Sequence, residues 1–171
     1  MRPRKMILYV GWAVFALIAF NFGCQSKVEA LQKAPDFSLK DVNGKDISLS
    51  QFKGHIVVLD FWATWCPPCR MSIPELIGLQ KEFRDQGLVV IGISLDDPME
   101  SSDLFLKAFM QKFQMNYTVL RYDEKIMKDY FGTDTPAIPT MFLIDREGKI
   151  RNKIVGYRQG FLKKSIESLL Q

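Results

Sequence analysis

Hydrophobic and polar residues change rhythm several times along this chain, and each change marks an element. From Met6 to Ser26 no residue is charged, and Ile7 to Phe20 is almost continuously apolar. A mixed polar stretch, residues 27–35, reads as a linker closed by Pro35. Two short apolar runs then flank Asn43-Gly44, a hairpin signal, and predict two strands around a turn. Residues 55–62 are apolar without alternation, as in a central strand buried on both faces. From Cys66 the period becomes helical, with Ile73, Leu76, Ile77 and Phe83 on one face and a stop at Gly87; Pro74 should bend or restart this helix.

The pattern continues with a strand at 88–95, a helix at 102–113, a strand at 117–121 and a short helix at 124–131. A strand at 140–144, the turn Asp145-Arg146-Glu147-Gly148, a strand at 149–155 and a helix at 161–170 complete it. Alternating strands and helices predict an α/β layered fold with a terminal antiparallel hairpin, occupying residues 36–171.

Charge changes the picture only at the start. Arg2, Arg4 and Lys5 supply most of the net charge of +4 and stand just before the apolar run, the form of a signal peptide or signal anchor over residues 1–26. Basic residues at that end hold it in the cytoplasm and place the rest of the chain outside. Gly23-Cys24 resembles a bacterial lipobox, so acylation at Cys24 and an uncleaved helical anchor both stay open. The remainder is nearly neutral and gives no footprint for nucleic-acid binding.

The chemistry concentrates in Trp65-Cys66-Pro67-Pro68-Cys69, at the junction of the buried strand and the helix. Cysteines three apart at a helix start can close a small disulfide. The unpaired N–H groups and positive dipole end there favour a thiolate on the first, so Cys66 is the expected nucleophile and Cys69 the resolving thiol. Pro67 and Pro68 bring no N–H, leaving Cys66 only later amides such as those of Cys69 and Arg70, a poorer set that favours a reductant. Asp60, in the apolar strand ahead of the motif, is a candidate general base, since burial without a cation raises a carboxyl pKa. A structural zinc site wants four ligands, and beyond the pair the chain offers only Cys24 and His55. No cofactor or metal is expected.

The run Val58-Leu59-Asp60-Phe61-Trp62-Ala63-Thr64-Trp65-Cys66-Pro67-Pro68-Cys69 resembles the active-site strand of thioredoxins. The N-terminal hairpin from Ala34-Pro35-Asp36-Phe37 and the extended segment from Asp96 to Phe113, an insertion around 96–117, are similar to the membrane-tethered TlpA/ResA-type branch of that superfamily. The resemblance covers about residues 34–171. It implies a thioredoxin fold, a central mixed sheet flanked by helices, and a redox disulfide between Cys66 and Cys69. It further implies disulfide reduction outside the cytoplasm, in some members during cytochrome c maturation, with electrons from a membrane thiol donor. Ile138-Pro139 resembles the cis-proline loop, which with Trp65 and Pro67 would contact substrate. Asp60 matches the buried thioredoxin aspartate, while Asp96 or Asp97, expected as solvated loop residues, could take that part instead. The expected partners are exported proteins carrying disulfides, apocytochrome c among them.

Two other functions compete. The opening Ala34-Pro35-Asp36-Phe37-Ser38-Leu39 is also similar to peroxiredoxins, but the Thr or Ser and the Pro that those antioxidant enzymes carry before their cysteine are missing: Ala63 and Leu59 precede Cys66, and Cys66 and Trp62 precede Cys69, at the required places. A metal-binding chaperone would need soft ligands near the pair, and the eight Met form no cluster there.

Overall fold

The computed structural model describes residues 32–170; the apolar run, Cys24 and the first part of the linker lie outside them. Five strands form one sheet. They are β3 (Ile56–Trp62), β4 (Leu88–Ser94), β5 (Thr118–Arg121), β6 (Thr140–Ile144) and β7 (Ile150–Val155), in the order β5-β4-β3-β6-β7. β3, β4 and β5 run parallel, and β6 and β7 add antiparallel edges. A separate hairpin of β1 (Ser38–Lys40) and β2 (Asp46–Ser48) turns through Gly44, whose φ of 81° suits a residue without Cβ.

The helices are α1 (Pro67–Phe83), α2 (Asp103–Lys112), α3 (Glu124–Phe131) and α4 (Phe161–Leu170). Every residue of β3 is buried, because the sheet is covered on both sides. Val58 and Trp62 face a layer built from Ile73, Leu76, Leu106, Leu162 and Ile166, which come from α1, α2 and α4. Val57, Leu59 and Phe61 face Ile126 and Tyr130 of α3 together with Leu39 and Ile47 of the hairpin. This is the thioredoxin fold with an N-terminal hairpin, and the bridge from Asp41 to Leu120 ties that hairpin to β5.

Two expectations change. The helix does not restart at Pro74, which lies inside the 17 continuous residues of α1. Its ring stands on the exposed side, so the Arg70 carbonyl that loses a helical partner can turn to water. The linker reading is shortened at its end: Ala34 N–H donates to the Gly148 carbonyl and Lys33 bridges Lys149, so residues 32–35 are already paired with the domain.

Gly92 matters for the site. It is the register partner of Asp60 across β3 and β4. A Cβ there would stand 2.7 Å from Trp62 Nε1, so the missing side chain is what admits the indole beside the Asp60–Gly92 pair.

Candidate active site

The parallel strands β3, β4 and β5 end together, and the loops at this carboxyl edge carry the chemistry, as is usual in sheets of this kind. β3 delivers the chain through Ala63-Thr64-Trp65 to Cys66, the N-cap of α1, with φ −87° and ψ 109°. Cys66 and Cys69 form a disulfide with Cα atoms 5.3 Å apart. Cys66 is 3% exposed and Cys69 not at all, so the first sulfur is the one nearer solvent.

The expected donor set is narrower than the sequence suggested. Cys69 N–H donates to Cys66 Sγ at 3.2 Å. Arg70 N–H, the other amide within reach, donates instead to the Cys66 carbonyl at 3.1 Å. Pro67 and Pro68 contribute none, so one amide supports the Cys66 sulfur where a dipeptide with N–H groups could supply more.

Antiparallel pairing of β6 with β3, with Phe61 opposite Thr140, brings the start of β6 to the end of β3. The Ile138-Pro139 bond there is cis, and the Ile138 carbonyl oxygen lies 3.7 Å from Cys66 Sγ. Pro139 is buried and Ile138 half-buried. Trp65, 65% exposed, and Pro67, also exposed, stand beside the pair in sequence and leave an open apolar surface around it.

Asp60 sits on the α1 face of β3, flanked by Gly92 and Met141. It has no solvent exposure, and neither carboxylate oxygen has a hydrogen-bond partner. Burial alone pushes its pKa up to about 8, into the range where it can exchange a proton with a thiol.

Asp96 is a correction. It is 1% exposed, because it turns back under the loop that precedes Cys66. Its carboxylate accepts from Thr64 N–H at 3.1 and 3.2 Å, from Thr64 Oγ at 2.6 Å and from Ser94 Oγ at 2.8 Å. A carboxylate so fully engaged holds the loop in place, whereas Asp97 is exposed and accepts from Met99 N–H. Arg121 at the end of β5 extends the tie, donating to the Asp96 and Ser101 carbonyls and to Asp103. Sequence reading missed Thr64, Ser94 and Arg121, which only the parallel pairing of β3, β4 and β5 brings together. Among the described residues no group of three or more His, Cys, Asp or Glu could hold a metal ion.

A cysteine pair at a strand-to-helix junction, facing a cis-proline loop in this fold, defines a thiol-disulfide oxidoreductase. Relatives agree with that class. "Thiol-disulfide oxidoreductase ResA" of Bacillus thuringiensis (strain Al Hakam) is 31% identical over 94% of this chain and 94% of its own. "Thioredoxin-like protein YneN" of Bacillus subtilis (strain 168) is 33% identical over 88% of this chain and 84% of its own. A crystal structure from Chlorobium tepidum, described as a putative thiol:disulfide interchange protein DsbE, superposes with a TM-score of 0.71 at 32% identity, covering 82% of this chain and 97% of that one. The AhpC/TSA family profile matches residues 30–153, and the chain belongs to this thioredoxin-like family.

The raised Asp60 pKa has a consequence for stability. Between the unfolded value of 3.8 and the folded value of about 8, the native state holds a proton that the unfolded chain has lost. Stability therefore declines as pH rises through this window, by at most about 1.4 kcal/mol per pH unit. Urea unfolding of the oxidised protein at a series of pH values should show that slope, and Asp60→Asn should flatten it. Parallel profiles for the two proteins would show that Asp60 does not titrate in this range.

Proposed function

We propose that this protein is a disulfide reductase held on the outer face of a cell membrane, reducing exported proteins, with apocytochrome c a candidate substrate. The observation that carries the direction is the single amide at Cys66 Sγ. A poorly supported thiolate is a better electron donor, because the reduced form is the less stabilised one. In the reaction, the Cys66 thiolate attacks a substrate disulfide and expels one substrate thiolate, forming a mixed disulfide. Cys69 gives its proton to Asp60 and attacks Cys66 Sγ; the second substrate sulfur leaves as a thiolate, and the Cys66–Cys69 disulfide remains. Trp65, Pro67, Ile138 and Pro139 surround the attacked sulfur and would hold the substrate backbone, and a membrane dithiol would return two electrons to the pair.

The location is supported by the basic start and charge-free run of residues 1–26 and by the TlpA/ResA resemblance. Among the described residues no helix is long and apolar enough to cross a membrane. The full-length protein should fractionate with membranes, and removal of residues 1–26 should release a soluble, redox-active domain. An intact Met1 in the native protein would assign a helical anchor, and an acylated Cys24 a lipid one; recovery of the full chain in the soluble fraction would contradict both.

The substrate can be captured. Cys69→Ser removes the resolving thiol and should accumulate covalent complexes in cells, at least tenfold more than Cys66→Ser, because an intramolecular thiol otherwise clears them quickly. Apocytochromes or their maturation factors among the captured proteins would support the narrower reading, and a broad mixture of exported proteins a general reductase. Equal trapping by the two variants would overturn the assignment of roles. Rapid consumption of hydrogen peroxide by the reduced protein would instead favour a peroxidase.

A further inference from the structure

Among the described residues, the large apolar side chains left exposed are not scattered over the surface. Trp65 and Met71 belong to the start of α1, Met99 to the turn after β4, Leu104 and Phe105 to the first turn of α2, and Val155 ends β7. Val155 stands opposite Thr140, and Thr140 opposite Phe61, so all of these gather toward the end of the sheet that carries Cys66. The remaining one, Phe161, has the Arg158 guanidinium 4.9 Å from its ring centre. Single exposed apolar residues are ordinary, whereas a group gathered at one end marks a surface that a partner covers.

The segment that carries Met99, Leu104 and Phe105 is bonded to the site at both ends. Asp96 accepts from Thr64, the residue before Trp65, and Arg121 donates to the Asp96 and Ser101 carbonyls and to Asp103. Ser102 caps α2 by accepting from Phe105 N–H at 3.2 Å. With the backbone so placed, Met99 is 92% and Leu104 77% exposed, and α2 turns only Leu106 fully inward. Leu95, whose N–H donates to the Trp62 carbonyl, and Ile138, whose carbonyl lies beside Cys66 Sγ, each pack against both core layers and give this end an apolar floor. Asp97 and Glu100, both exposed in the same turn as Met99, add the polar rim common at protein interfaces.

Resting on the reading of Cys66 as the attacking sulfur of a reductase, we propose that the segment from Asp96 to Phe105 is a second docking surface for the substrate polypeptide, one that selects disulfides with apolar residues a few positions from the reacting cysteine. The occupant follows from the chemistry. In the mixed disulfide a polypeptide is covalently seated on Cys66 Sγ, so an apolar surface continuing from that sulfur is covered by the same chain. β5, whose last residue holds the segment, stands two strands from β3, about 10 Å away, a span that about three residues of extended chain cross. Apolar side chains that close to a cysteine are mostly buried in a folded protein and open in an unfolded one. The surface therefore favours chains that have not completed folding.

Peptides joined through a single cysteine to a coloured aryl thiol measure the attack step. The Cys66 thiolate attacks the peptide sulfur, the sulfur–sulfur bond to the aryl group breaks, and the aryl sulfur leaves as the thiolate because its pKa is the lower one. With the reduced full-length protein, a peptide carrying Leu and Phe within a few residues on each side of its cysteine should release thiolate about tenfold faster than one with Ser at those places, the effect of one well-buried apolar side chain. In the triple variant Met99→Ser, Leu104→Ser, Phe105→Ser the ratio of the two rates should fall toward one, and in Val155→Ser it should persist. Reading the ratio cancels any general disturbance of Cys66. Equal rates for the two peptides with the wild-type protein would overturn the docking surface and leave the reductase standing. A ratio that survives the triple substitution, or that is lost in Val155→Ser instead, would overturn it as well. Self-association of the wild-type protein that the triple substitution abolishes would assign the surface to a second copy of the chain, against the proposal. If neither peptide nor the aryl disulfide of free cysteine releases thiolate, the reductase reading fails and the docking surface with it.

Discussion

The strand-to-helix junction at Cys66 governs the rest of the site. A central strand buried on both faces cannot shift without disturbing two packed layers, so β3 presents its last residue at a fixed place. α1 begins there, and its unpaired first-turn N–H groups set how well a negative sulfur is stabilised. Two prolines remove two of those donors and a backbone bond to the Cys66 carbonyl takes the Arg70 amide, leaving the Cys69 amide. The redox preference proposed for this protein follows from that shortage.

Two buried carboxylates near the junction show how surroundings divide the work. Asp96, 1% exposed, is engaged by the Thr64 amide and hydroxyl and by the Ser94 hydroxyl, and its role is to hold the loop entering Cys66. Asp60 has no exposure and no donor, and burial drives it toward the protonated form. A fully bonded carboxylate serves as a fixed anchor. One without donors keeps its proton to higher pH.

Most elements could be read from hydrophobic rhythm because β3, β4 and β6 are buried on both faces and α3 and α4 on one, so burial wrote itself into residue type. The Cys66-Cys69 pair was legible for another reason: its spacing and position at a strand end have few bland explanations. The tie between Thr64 and Asp96 was not legible, since 32 residues separate them and only parallel pairing of β3 with β4 makes them neighbours. That α1 carries on through Pro74 was not legible, because a proline's cost in a helix depends on whether the freed carbonyl meets water, a tertiary property.

The central claim is that thiolate character belongs to Cys66 and is held back in Cys69. Timed alkylation of the reduced protein over a range of pH, with each sulfur followed by peptide mass, measures it directly. The account predicts that Cys66 is modified first at every pH and that its midpoint lies below that of Cys69, which reacts slowly until Asp60 ionises. Preferential modification of Cys69, or the same pH dependence at both sulfurs, would contradict it.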